Sequence, residues 1–343
     1  MSTDTLSEVL RAVRLSGAVF FRVEAFPPFV AEAPAARDVA RYVMPGAEHV
    51  IEYHVVTRGS CYAYLIDGPA VALKAGDIVV FPQGDSHVVS SEPGMRGQPD
   101  FEAHRHPDRG QLPIAMSMGT PSPGAAEVVC GFLGCDAQPF NPLLATLPRM
   151  IHVAHGRGGL NHIPELIRVA LSESAARGAG SECMLSRVSE LLFIEVVRKY
   201  IVDLPRDTTG WLAGLRDEVV GRALGALHDR PAHPWSLEDL ASEVALSRSM
   251  LAERFHHFVG VPPMQYLARW RMQLAAGLLS NGTAPLIEIA TRVGYGSEAA
   301  FSRAFKRWVG IAPSAWRAGE RGIALDPRIA AADDGDVEQA TAS

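Results

Sequence analysis

No stretch of the 343-residue sequence holds eighteen or more consecutive apolar residues, so no membrane-spanning helix is expected. Cysteine is scarce. Cys61, Cys130, Cys135 and Cys183 are the only four, and none stands in a C-x-x-C pair. That excludes a disulfide-stapled small domain and a cysteine-built zinc module, and suggests reduced thiols with packing roles. A secretory leader is also missing. "MSTDTLSEVLRAVRLSGAVFF" carries acids early and has no small-residue cleavage site, so it reads as an amphipathic helix and then a strand, in a cytoplasmic protein. Finally, there is no basic surplus. The net charge is −6, so the molecule as a whole is not a polycation.

What is present is ample apolar material, 48% of residues, in a chain long enough for two or three domains. Charge is unevenly spread. Ser236 to Arg321 holds ten Lys/Arg against seven Asp/Glu, and the rest of the chain is acidic. Only this C-terminal quarter suits a polyanion.

Residues 17 to about 136 read as short strands rich in Val, Ile, Phe and Tyr and broken by Gly, Pro and Asp. "AEVVCGFLGCDA" reads as a strand pair, with Cys130 and Cys135 meeting only if "GFLG" turns. A Pro/Gly-rich loop, residues 92–113, includes "HRHPDRG", read as a solvated tip. "IPELIRVALSESAA" and "CMLSRVSELLFIEVVRKYIVDL" have apolar residues three and four apart, which predicts two amphipathic helices. The stripe Leu185, Val188, Leu191, Leu192, Glu195, Val196 either packs on the strands or forms a dimer face. "DLPRDTTG" reads as a linker, and the apolar-poor tail 323–343 as disordered.

The most specific pattern is a repeat. Ser247, Leu251, Phe255, Val259-Gly260 and Pro263 reappear fifty residues later as Ser297, Phe301, Phe305, Val309-Gly310 and Pro313. Leu240-Ala241 match Ile289-Ala290 at an offset of 49, so the second unit has one extra residue in its turn, at "GYG". Each unit, 236–260 and 285–310, reads as a short helix, a tight turn, and a serine-capped second helix with an exposed N-terminal half. The first should bury Leu237, Leu240, Ala241, Val244, Leu251, Phe255 and Phe258, and the second Ile287, Ala290, Val293, Phe301 and Phe305. Residues 264–280 would be one connecting helix of roughly 25 Å. Two such helices, spaced about 34 Å apart, read successive major grooves of duplex DNA. Opposite the buried positions lie Ser249, Ala252, Glu253 and His256, and then Glu298, Ala299, Ser302 and Arg303, as base-facing residues. Arg248, Arg254, Lys306 and Arg307 suit phosphates.

These residues resemble the AraC/XylS-type transcription regulators, above all in "IATRVGYGSEAAFSRAFKRWVGIAPSAWR". The resemblance covers about 215 to 320. It implies transcription control through double-stranded DNA, a small-molecule effector bound upstream, a homodimer, and contact with RNA polymerase. Upstream, "GDIVVFPQGDSHVVSS" resembles the second cupin motif, with Gly76, Pro82, Gly84 and His87 in step and Ser91 in place of the usual Asn. Glu52 and Gly59 fit the end of the first motif, but the His-x-His before them is absent. The resemblance implies a cupin-like β-barrel whose effector pocket includes Glu52, His54, Cys61 and His87. A metal would have to use His49, Glu52 and His87, with His54 as a substitute, and no cofactor or catalytic residue is expected. The competing classes are a metal-dependent cupin enzyme fused to a helical module, a regulator switched by oxidation of Cys61, and a helical module that binds no DNA.

The expected architecture is multidomain α+β. Residues 1–150 form the cupin-like domain, 151–205 a helical linker and dimerisation region, and 211–322 an all-α double helix-turn-helix domain.

Overall fold

The computed structural model describes residues 4–105, 113–155, 162–176 and 178–319. The tail expected to be disordered, 323–343, lies outside them. The chain packs as two compact units. One comprises Val13–Asp136 and Leu144–Arg206; the other comprises Met1–Ala12, Ala137–Leu143 and Asp207–Ser343. These limits differ from divisions at 150 and 205. The first helix, α1 (Thr5–Ala12), buries Val9 and Leu10 and packs within the helical unit, despite preceding the strands in sequence.

The strand-rich unit contains β1 (Ser16–Ala25), β2 (Val30–Ala33), α2 (Ala36–Val43), β3 (His49–Arg58), β4 (Ser60–Leu65), β5 (Val71–Lys74), β6 (Ile78–Phe81), β7 (His87–Ser90), β8 (Ile114–Met118), β9 (Ala126–Cys135) and β10 (Ile151–Val153). They form a six-stranded sheet, β10-β6-β3-β9-β1-β8, and a four-stranded sheet, β2-β7-β4-β5. Ala25, Val56, Cys61, Ala63, Leu73, Val79, Phe81, Val89 and Val128 fill the space between them, so both sheets share one core. Two helices follow, α3 (Ile163–Ala176) and α4 (Ser181–Asp203), where the apolar spacing predicts them.

β3 is the central element. It pairs with β6 on one side and β9 on the other, and it is buried continuously from Val50 to Val56. Side chains alternate across a strand. Val56 joins the core between the sheets, whereas Tyr53 faces outward and its Oη lies 2.7 Å from Ser189 Oγ on α4. Glu52 and His54 share the parity of Val56.

Two expectations are corrected. "AEVVCGFLGC" is one ten-residue strand rather than a strand pair. Gly131 makes no turn; a Cβ there would collide with the Tyr53 ring of the adjacent strand. Cys130 and Cys135, an odd number apart on an unbroken strand, point to opposite faces. The supposed all-strand region also contains α2, whose Val39 and Val43 are buried against Phe21, Val50 and Phe132.

The helical unit contains, besides α1, α5 (Trp211–Arg216), α6 (Glu218–Asp229), α7 (Leu237–Glu243), α8 (Arg248–Val259), α9 (Pro263–Asn281), α10 (Leu286–Arg292), α11 (Glu298–Val309) and α12 (Pro313–Arg317). α9 divides its contacts along its length. Tyr266 and Trp270 meet His228 of α6, and Tyr266 also meets Phe255 of α8. Further along, Met272, Ala275, Ala276 and Leu279 pack against Ile289, Phe301, Phe305 and Trp316.

Candidate nucleic-acid interface and barrel cavity

Both helix-turn-helix units form, with capping chemistry that the sequence specifies. Ser236 Oγ accepts the Asp239 amide at 3.1 Å, and the Asp239 carboxylate accepts the Ser236 amide at 3.1 Å, a reciprocal cap on α7. Ser247 accepts from Met250 N at the start of α8, and Ser297 from Ala300 N at the start of α11. Leu251 and Phe255, and correspondingly Phe301 and Phe305, are completely buried. Their helices therefore cannot rotate, and the opposite faces turn outward.

Two buried positions differ from expectation. Ile287 is exposed, and Ile289 takes its place against α9. Leu237 and Phe258 are only half-buried.

Ser249, Glu253, His256, Glu298, Ala299 and Arg303 are exposed, and Ala252 and Ser302 half-exposed. Arg248, Arg254, Lys306 and Arg307 are exposed as well. Arg254 is already engaged. Its Nε and Nη2 fork onto Asp217, at 3.0 and 2.6 Å, while Asp217 Oδ1 also caps α6 through Val219 N and Val220 N. Arg248 lies 3.8 Å from Glu238, an exposed pair of little energetic weight. Exposed Met250 and Ile287 also stand beside the turns, positions a periodicity argument assigns to no role.

Inside the strand-rich unit is a cavity of about 280 Å³. Phe21, Phe29, Met116, Met118, Val128 and Phe132 form its apolar wall, and Glu52, His54, His87 and His104 its polar end. Among the described residues, no lysine or arginine lines it. Glu52 and His54 come from one face of β3, and His87 from the first position of β7. Their ligand-type atoms all lie within 4.8 Å of one another, and all three side chains are buried.

The electrostatics of this cluster follow from burial. Desolvation pushes the Glu52 carboxyl up to about 8. It pulls His87 down to about 4 and His54 well below the usual imidazole range, with the neighbouring His87 and His104 adding to the latter. Glu52 Oε2 and His87 Nε2 are 3.8 Å apart, and burial favours the neutral form of both, so this is not an ion pair. His87 Nδ1 lies 2.9 Å from Asp85 O, and a carbonyl only accepts, so Nδ1 carries the proton. His87 Nε2 is then a lone pair, and His54 Nε2 donates to it across 2.6 Å. Glu52 Oε1 and His54 Nδ1 are buried with no hydrogen-bond partner.

Several sequence-based candidates sit elsewhere. His49 is an odd number of residues from Glu52, so it faces the other side of β3, where its Nε2 lies 2.7 Å from Pro82 O. It does not join the cluster. The usable pair is Glu52 and His54, two apart, which strand alternation alone reveals. Cys61 lies in the apolar core rather than on the cavity, and burial pushes its thiol up to about 12. That opposes thiolate chemistry, so Cys61 is unsuited to an oxidation switch. Cys130 lines the cavity, with its thiol also pushed up by burial. His104, assigned to a solvated loop tip, is nearly buried. Its Nδ1 donates to Asp100 O at 2.7 Å, and its ring meets Phe21 and Phe132. The rest of that run, and most of 152–162, lie outside the described residues.

The apolar stripe of α4 is settled in part. Leu185, Val188, Leu192 and Val196 are buried, and Glu195 pairs with Arg198. Leu191 is 48% and Met184 47% exposed.

Comparison with known proteins matches both parts. Residues 4–202 fit the family described as Cupin, and residues 240–319 the family described as Helix-turn-helix domain. The sequence is 33% identical over 281 residues to the HTH-type transcriptional regulator AlkR of Acinetobacter baylyi, covering 79% of this chain and 89% of that protein. It is 35% identical over 278 residues to an AraC-like transcription regulator of Streptomyces lividans, covering 79% and 88%. For a second such regulator, from Streptomyces antibioticus, the identity is 34% over 275 residues, with coverage of 79% and 88%.

Proposed function

The chain belongs to the AraC-type helix-turn-helix transcription regulators that carry a cupin domain, and from that premise we propose how it reads DNA and what its barrel senses. α8 and α11 enter successive major grooves on one face of the duplex, with α9 as the spacer. Nineteen residues of α9 span about 28 Å at 1.5 Å per residue. Arg303 makes a bidentate contact to guanine. Glu253 and Glu298 accept from cytosine, Ser249, Ser302 and His256 hydrogen-bond to base edges, and Ala252 and Ala299 meet thymine methyls. Arg248, Lys306 and Arg307 hold phosphates. Arg254 braces α8 through Asp217 and reaches the backbone only from that position.

The observation that carries this reading is the paired exposure of α8 and α11 around completely buried aromatic and leucine anchors. A helical module that binds no DNA has no need of two capped helices whose outward halves are left open.

The barrel cavity is the effector site. Its wall is apolar, it is small, and no cationic side chain among the described residues lines it. The effector class it suits is a compact, largely apolar molecule without a carboxylate or phosphate. Binding there biases the DNA-competent state, a population shift that requires different effector affinities in the two states. The exposed Met184 and Leu191 of α4 serve a homodimer, which doubles the length of DNA read. No described helix is long and apolar enough to cross a membrane, and we place the protein in the cytoplasm, where DNA and RNA polymerase are its macromolecular partners.

Genomic footprinting with the purified full chain tests the core of this reading. Discrete protected sites, each about two helical turns per chain, are expected. Uniform, sequence-independent protection, or none, would overturn it.

A further inference from the structure

The barrel holds a second chemistry besides an apolar cavity. We propose that Glu52, His54 and His87 form a binding site for a first-row divalent transition metal of the Zn²⁺ or Fe²⁺ type, with its remaining coordination positions open to the cavity.

The donor set is one carboxylate and two imidazoles, the ligand types such ions prefer. The three donors converge within 4.8 Å although they come from two strands in different sheets. The geometry needs little change. Two nitrogens bound to one tetrahedral zinc at about 2.0–2.1 Å stand about 3.3 Å apart, and the two Nε2 atoms are now at 2.6 Å. A shift of several tenths of an ångström opens room for the ion.

Second-shell support already exists. Asp85 O fixes the His87 ring through Nδ1 and aims the Nε2 lone pair into the cluster, the usual way a metal-binding imidazole is oriented. Glu52 Oε1 is a buried acceptor with nothing to accept from. A purely structural role leaves that atom unexplained, because buried polar atoms are almost always paired. No Lys or Arg among the described cavity residues offers an alternative counter-charge. His49, on the opposite face of β3, is excluded by strand parity. On binding, the ion replaces the proton shared by the two Nε2 atoms, that proton passes to Nδ1 of His54, and the Glu52 carboxyl gives its proton to solvent.

The full chain is stripped with a chelator, dialysed and titrated with Co²⁺, followed by its visible absorption bands, then with Zn²⁺ in competition. Metal content is counted by mass spectrometry. One ion per chain is expected, with a rise in melting temperature on loading. Glu52→Gln keeps the shape of the side chain and His87→Gln keeps most of its volume. Each should weaken Zn²⁺ roughly 100-fold or more, whereas His49→Gln and His104→Gln should bind as the unmodified protein does. Far-UV circular dichroism checks folding, and if His87→Gln fails to fold, Glu52→Gln alone decides. Sub-stoichiometric uptake, or equal affinity in Glu52→Gln, means an adventitious metal only and overturns the site. Footprinting of the metal-free chain is a separate readout, so failure of the DNA reading is distinguishable from failure here.

Discussion

Ala245 and Gly294 occupy the same place in the two helix-turn-helix turns and share one backbone state, with φ of 56° and 84°. The left-handed region suits glycine and costs an L-residue roughly 1–2 kcal/mol. The first unit therefore carries strain that the second avoids.

This relationship gives an asymmetric pair of substitutions. Ala245→Gly should be neutral or stabilising by up to about 1 kcal/mol, relief of strain being offset by the greater freedom of unfolded glycine. Gly294→Ala should destabilise by about 2 kcal/mol or more, because the new Cβ would also stand 2.7 Å from Ala232 O. All five tryptophans lie between Trp211 and Trp316, so fluorescence-monitored denaturation reports this unit selectively.

The two helices should respond differently to loss of charge. Arg303→Ala is expected to weaken specific binding by about 1–3 kcal/mol and to relax preference at one base pair. Lys306→Ala should weaken all sequences alike and lower the salt slope by about 1. Anisotropy titrations at several salt concentrations, on the footprinted site and single-base variants of it, separate the two effects. Equal losses on every sequence for Arg303→Ala would remove it from base reading.

Acid should loosen the helical unit through His228. Burial pulls its imidazole from 6.5 to about 3, and Nε2 lies 2.7 Å from Tyr266 Oη. The unfolded chain takes up the proton near 6.5, and the folded chain only near 3. Between those values the unfolded state binds more protons, so stability falls as pH drops through this window. The His228 share of that loss is about 2 kcal/mol between pH 7 and pH 5. Unfolding measured at both pH values should show the fluorescence-detected transition of His228→Gln less acid-sensitive by that amount.

Thiol chemistry should single out Cys183. It is exposed, whereas burial pushes Cys61 and Cys135 up to about 12 and also raises Cys130. One thiol per native chain should react quickly with an aromatic disulfide reagent, and four in denaturant. Fast native labelling of Cys61 would restore the oxidation switch.

The exposed residues of α4 test the dimer. Leu191→Glu should leave the melting temperature nearly unchanged, because Leu191 is 48% exposed and packs on nothing essential. It should shift the sedimentation coefficient from dimer to monomer. A wild-type monomer at micromolar concentration would sink this reading.

The C-terminal half is written locally. Serine caps act over three residues, and Leu251, Phe255, Phe301 and Phe305 recur at helical spacing, so the units and the α9 spacer are legible before any folding argument. The barrel is legible only as a class. Its second motif marks His87, and strand parity pairs Glu52 with His54, but β8 and α2 carry no comparably strong local pattern.

Sequence alone thus determined the paired DNA-reading helices, because their hydrogen bonds and buried faces are set by neighbours within a turn or two. Only tertiary structure decided that His104, Met116 and Cys130 share a cavity with Glu52, His54 and His87, and that His49 and Cys61 do not. Pairings such as Phe21 with Ile114 and His54 with Cys130 join residues far apart in the chain. Burial, and the shifts in protonation that follow from it, exist only once those strands have met.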